Sequence, residues 1–156
     1  MDKLVGFFKT TSWLLFLGAL LWSYAYLPAQ VTYRFDPSGA ALGVTSKTNF
    51  FFASLGIFII VNIVCIIFLR TLKRVDSSDE GVGLQNRSFK KDIAMWINGF
   101  IGILNIFFSL SLMLISNLNG SQEFQGSFTG AFIYVGPTLI LIWIIYLLTL
   151  IAKKRN

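Results

Sequence analysis

Outside the long apolar runs, four ionisable side chains could assemble a reactive site: Arg34, Asp36, Lys47 and Glu123. Proton-transfer chemistry near neutral pH needs a His, or carboxylates whose surroundings drive their proton affinities apart. This chain has no His, and its seven carboxylates show no paired spacing. Cys65 lies between Val64 and Ile66, where a thiol is inert, and as the sole cysteine it has no disulfide partner. The residues therefore predict no catalytic set, no metal site and no cofactor ligand. An apolar cofactor held without a ligand residue would leave no trace in the sequence. Asn119-Gly120-Ser121 has the form of a glycosylation sequon, which matters only in a eukaryotic secretory setting, and reads as a turn.

The elements that must carry these residues belong to a membrane. Of 156 residues, 55% are hydrophobic and 13% charged, and the mean hydropathy is +0.71. A soluble domain carries about 25% charged residues, and a core of this size could not hide so much apolar surface. Four runs near the ~20 residues needed to cross the hydrocarbon predict transmembrane helices over about residues 10–27, 50–69, 93–118 and 128–152. They form one domain over 1–156, an all-α integral membrane protein with short loops and one ordered external loop at 27–49. Lys3 and Lys9 before the first run, with Ser23-Tyr24-Ala25 near its end, also resemble a signal peptide. We read the segment as a retained span, with Trp22, Tyr24 and Tyr26 as an interfacial aromatic belt.

Charge sets the orientation. Eleven of the thirteen Lys and Arg lie at the N-terminus, between the second and third spans, or at the C-terminus. The other connections hold only Arg34 and Lys47, offset by Asp36 and Glu123. The positive-inside rule places both termini in the cytoplasm. The net charge of +6 then needs no nucleic-acid partner, and the basic stretch at 70–91 is suited to anionic lipid headgroups.

The apolar lengths of the spans hold no Asp, Glu, Lys, Arg or His, which argues against ion or proton transport. Asn62, Asn98 and Asn105 are polar packing residues, and Asn62 and Asn105 fall at similar depth, close enough for an interhelical amide bond. Gly99 and Gly102, on neighbouring turns, and Gly130, four residues after Gly126, mark close helix approach. Pro137 removes a backbone donor and should bend the fourth helix.

The first external loop alternates apolar and polar residues from Val31 to Phe35 and then has the turn signal Asp36-Pro37-Ser38-Gly39. This predicts a short extended stretch and a tight turn, with Pro28, Arg34, Phe35, Asp36, Gly39 and Lys47 as contact candidates. Residues 27–47 resemble the bacterial membrane-protein family called domain of unknown function 1648. The likeness rests on Leu27-Pro28, Val31, Phe35, Asp36, Gly39 and Ser46-Lys47, with Arg34 where the family usually has His and Thr32 where it usually has Pro. It implies a bacterial cytoplasmic (inner) membrane, and some relatives look like immunity or signalling proteins. Spans without titratable groups and with little soluble mass point to a non-catalytic accessory or assembly subunit. Its expected partners are the lipid bilayer and other integral membrane proteins; the alternative is an immunity or signal-transduction role.

Overall fold

A computed structural model describes residues 2–36, 40–77, 84–120 and 128–155. In chain order the elements are α1 (Asp2–Tyr26), β1 (Gln30–Phe35), β2 (Ala41–Ser46), α2 (Lys47–Ser77), α3 (Leu84–Asn119) and α4 (Phe128–Arg155). All four helices are long and apolar enough to cross a membrane. Each runs past the apolar segment read from the sequence. α1 starts eight residues before the expected first span, α2 continues eight residues past Leu69, and α3 starts nine residues before Ile93. Hydropathy marks where hydrocarbon would end, whereas a helix stops only where a cap or a breaker stops it. At 36 residues α3 is about 54 Å long, well beyond a ~30 Å hydrocarbon layer.

The α2 start corrects a boundary. Ser46 caps the helix, its hydroxyl accepting the Asn49 N–H at 3.2 Å, so α2 begins at Lys47 and the connection ends three residues before the expected Asn49. That connection also holds more structure than one extended stretch. β1 and β2 pair antiparallel as a hairpin, with irregularities on either side of Arg34 that leave Tyr33 and Leu42 without cross-strand partners. The turn at 37–39, with Gly39, lies outside the described residues.

α3 is the hub of the bundle. It packs against α1, α2 and α4, while α1 and α2 touch each other more sparsely. α1 and α3 run parallel: Lys9 meets Asn98 at one end and Ser23 meets Leu112 towards the other. α4 runs antiparallel to α3, since Gly99 faces Trp143 and Gly136 faces Phe107. The chain ends and the α2–α3 connection thus share one end of the bundle, and the hairpin caps the other. Near the hairpin the core is Phe16, Leu20, Leu27, Val31, Phe50, Phe58 and Leu112, and near the termini it is Leu69, Ile97 and Ile101. Phe16 and Phe58 stack with ring centroids 3.7 Å apart, and Trp13 meets the edge of Phe58 at 5.1 Å. The outward faces of α2 and α4, including Ile60, Ile63, Leu141 and Ile145, are exposed apolar surface, as a lipid-facing helix requires.

Candidate functional site

The hairpin end carries most of the exposed polar chemistry, and its position follows from three anchors. Val31 points inward and is 0% exposed, packed into the core with Phe16, Leu20 and Leu112. Lys47 N–H donates to the Ala29 carbonyl at 3.0 Å, closing the hairpin base. The third anchor is Asn119, at the last position of α3. Its Oδ1 accepts the Thr32 N–H at 2.7 Å, its Nδ2 donates to the Thr32 carbonyl at 2.8 Å, and the same Nδ2 donates to the Ile115 carbonyl at 2.9 Å. A side-chain amide carries one donor edge and one acceptor edge at the spacing of a peptide group, so Asn119 pairs with β1 as a neighbouring strand would. An amide committed in this way is a poor acceptor for a glycan, whatever the Asn-Gly-Ser pattern suggests.

Above these anchors the hairpin presents Arg34 and the apolar side chains Tyr33, Leu42 and Val44, which are 54%, 59% and 50% exposed. The Tyr33 ring lies across Gly43. A Cβ on Gly43 would stand 2.8 Å from the ring carbon Cζ, so only glycine fits beneath it. Asp36 closes the far end: its carboxylate accepts the Ala40 N–H at 2.7 Å, and its own N–H donates to the Ala40 carbonyl at 2.9 Å. Pro28 is exposed and Phe35 half-buried, opposite Ala41. Lys47 turns back onto its own chain, with Nζ 4.8 Å from the centroid of Tyr24. Tyr24 in turn meets Phe51 edge-on at 5.0 Å, and Trp22 and Tyr26 pair at 4.7 Å. Glu123 lies outside the described residues, so the structure brings Arg34, Asp36, Lys47 and Glu123 into no common site.

Inside the bundle, polar side chains join three helices. Asn62 Nδ2 on α2 donates to Asn105 Oδ1 on α3 at 2.9 Å and to the Phe58 carbonyl of its own helix. Asn105, which is 0% exposed, donates through Nδ2 to Ser12 Oγ on α1 at 3.1 Å. Ser12 donates to the Lys9 carbonyl, and Ser109 to the Asn105 carbonyl. Asn62 Oδ1 and the nearby indole N–H of Trp13 are buried without a partner. Towards the termini, Lys9 Nζ donates to Asn98 Oδ1 at 3.3 Å, and Asn98 Nδ2 donates to the Ala94 carbonyl. Lys9 is therefore half-buried against α3, where the sequence placed it on a solvated flank. Its level is six residues, about 9 Å, beyond Asp92 along α3.

The two paired glycines serve different neighbours. Gly99 leaves room for the Trp143 ring of α4 and Gly102 for the Phe8 ring of α1. Trp143 is further fixed by a reciprocal exchange: its indole N–H donates to the Trp96 carbonyl at 3.1 Å, and that of Trp96 donates to the Trp143 carbonyl at 2.9 Å. Gly130 falls in the first turn of α4. α4 continues as helix through Pro137, whose ring is exposed, while Gly136 beside it packs under Phe107. Sequence reasoning missed the Asn119 clamp, the Ser12 link and the Trp96–Trp143 exchange. A serine amid the apolar residues of α1 was a visible signal for the second; nothing local announces the other two.

Among the described residues no group of His, Cys, Asp or Glu could hold a metal ion. Comparison with protein-family models, curated proteins and solved structures gave no match to this chain.

Proposed function

We propose that this chain is a non-catalytic membrane protein that acts through contacts with other membrane proteins, as a small accessory or assembly subunit of a larger bacterial complex. One observation carries the reading: the only sizeable surface beyond the helices is a hairpin held fast by Val31, Ala29 and Asn119, with Tyr33, Arg34, Leu42 and Val44 turned outward. Pinning a loop lowers the ordering cost of binding, and exposed aromatic and Arg side chains make good interface anchors. The polar interior supports the same reading, since its amides and hydroxyls chiefly join helices. In this reading the termini are cytoplasmic and the hairpin lies on the outer face of a bacterial inner membrane, supported by eleven of thirteen basic residues at the terminal end. The basic segment 70–91 then faces the anionic inner leaflet.

Purification of the tagged chain from its native membrane in mild detergent, with mass spectrometry of what remains bound, tests this. A stoichiometric membrane partner is expected; a chain recovered alone and active alone would overturn the role. The likeness of residues 27–47 to the domain of unknown function 1648 family favours a second reading, an immunity or signalling protein, because that stretch forms the docked hairpin. It predicts that deletion of the gene alters sensitivity to membrane-active toxins or expression of neighbouring genes.

A further inference from the structure

The two edges of the hairpin are treated differently. In an antiparallel pair, residues alternate between those that exchange hydrogen bonds across the ladder and those whose N–H and C=O point away from it. Lys47 donates inward to Ala29, so in the register Val31↔Thr45 and Thr32↔Val44 the second pair points outward. On β1 those outward groups belong to Thr32, and Asn119 takes both. On β2 they belong to Val44, and no described residue takes them. Exposed strand edges are usually blunted by Lys, Pro or a bulge. β2 reads Ala-Leu-Gly-Val-Thr-Ser, without charge or proline, and its irregularity lies at Leu42, leaving residues 44–46 regular.

We propose that β2 is a dimer edge: two copies of this chain pair β2 to β2, antiparallel, to make one four-stranded sheet across the end of both bundles. This rests on the contact role proposed above and specifies one contact. The orientation of the sheet selects a second copy over another protein. Val31 points down into the core, so the hairpin lies across the bundle end with its face normal along the helices and its open edge directed sideways. Two strands in an antiparallel pair are related by a two-fold axis perpendicular to their sheet. Two copies inserted with the same sense in one bilayer can be related only by a two-fold along the membrane normal. Here the two axes coincide. The paired edges bring no like charges together, because the cation that follows β2, Lys47, is held over Tyr24. Two short strands would associate weakly in water, but the bilayer holds both edges at one height and in one orientation, which removes much of the cost.

Cysteine cross-linking in native membranes tests the pairing. In a Cys65→Ser background, Val44→Cys and Thr45→Cys on β2 are compared with Gln30→Cys and Thr32→Cys on β1 under mild oxidation. Residues facing each other across antiparallel strands have Cα atoms about 4.5–5.5 Å apart, within disulfide reach. A covalent dimer is expected from the β2 positions, several-fold above the β1 positions. Val44→Pro removes only the outward-facing N–H, so added to Thr45→Cys it should lower the dimer yield about ten-fold, the loss of two symmetry-related backbone bonds, with helix content unchanged. If that proline hinders insertion, Val44→Lys gives the same loss by charge opposition. Equal yields from both strands, or no covalent dimer, would overturn the pairing. Adducts with a different protein only would also overturn it, while leaving the contact role standing.

Discussion

Replacing Asn119 tests the rigidity on which the account depends. Asn119→Ala removes the two hydrogen bonds to Thr32 and leaves Val31 in the core and the Ala29–Lys47 closure intact. At about 0.5–1.5 kcal/mol net for each bond, docking of β1 on α3 weakens by roughly 1–3 kcal/mol. With 1.4 kcal/mol to a factor of ten, exchange of the Thr32 amide through local undocking speeds up by about 5- to 150-fold. Asn119→Asp is the sharper variant. A carboxylate still accepts the Thr32 N–H but places a second acceptor against the Thr32 carbonyl, so the isostere should protect Thr32 no better than alanine does. Hydrogen exchange resolved to single residues, on protein in lipid discs, reads this directly. The Val31 and Thr45 amides, which bond within the hairpin, should change far less. Thr32 exchanging equally in all three proteins, or as slowly with Asp as with Asn, would refute the amide clamp.

Other substitutions separate packing from polar contributions. A double-mutant cycle of Asn62→Ala and Asn105→Ala, followed by unfolding in mixed micelles, should give a coupling of about 0.6 kcal/mol and not above ~2, as for other hydrogen bonds in membranes. Gly99→Ala should destabilise by about 1–3 kcal/mol, because Trp143 is tied to the Trp96 carbonyl and cannot swing away; Gly102→Ala should cost less, since the facing Phe8 ring is more exposed and can move. Phe58→Ala breaks the stack with Phe16 and the edge contact with Trp13, yet should fall below the ~3–5 kcal/mol of a water-soluble core, because a separated helix leaves Phe58 in lipid rather than water. The same micelle assay ranks these variants.

The helices were legible because apolar length is a one-dimensional signal: Phe50 to Leu69 has no charge, and α2 contains it whole. The Asn62–Asn105 pair was legible because polar amides in apolar runs must find each other. The second strand was missed because Leu42-Gly43-Val44-Thr45 follows a turn and its pattern is broken at Gly43, whose reason is the Tyr33 ring above it. Lys9 was misplaced because hydropathy cannot tell a flank from a helix face that turns towards Asn98. Asn119 lay beyond sequence reasoning altogether, since its partner is 87 residues away and its meaning is a matter of orientation.

The central claim is that the pinned hairpin is a contact surface. Its most direct test is to excise the tagged chain and its Asn119→Asp variant from native membranes in lipid discs and to quantify every co-isolated protein. The account predicts a stoichiometric membrane partner with the native chain and a marked loss of that partner with the variant, the bundle remaining folded in both. Equal recovery of the partner with both proteins, or no partner with either, would contradict it.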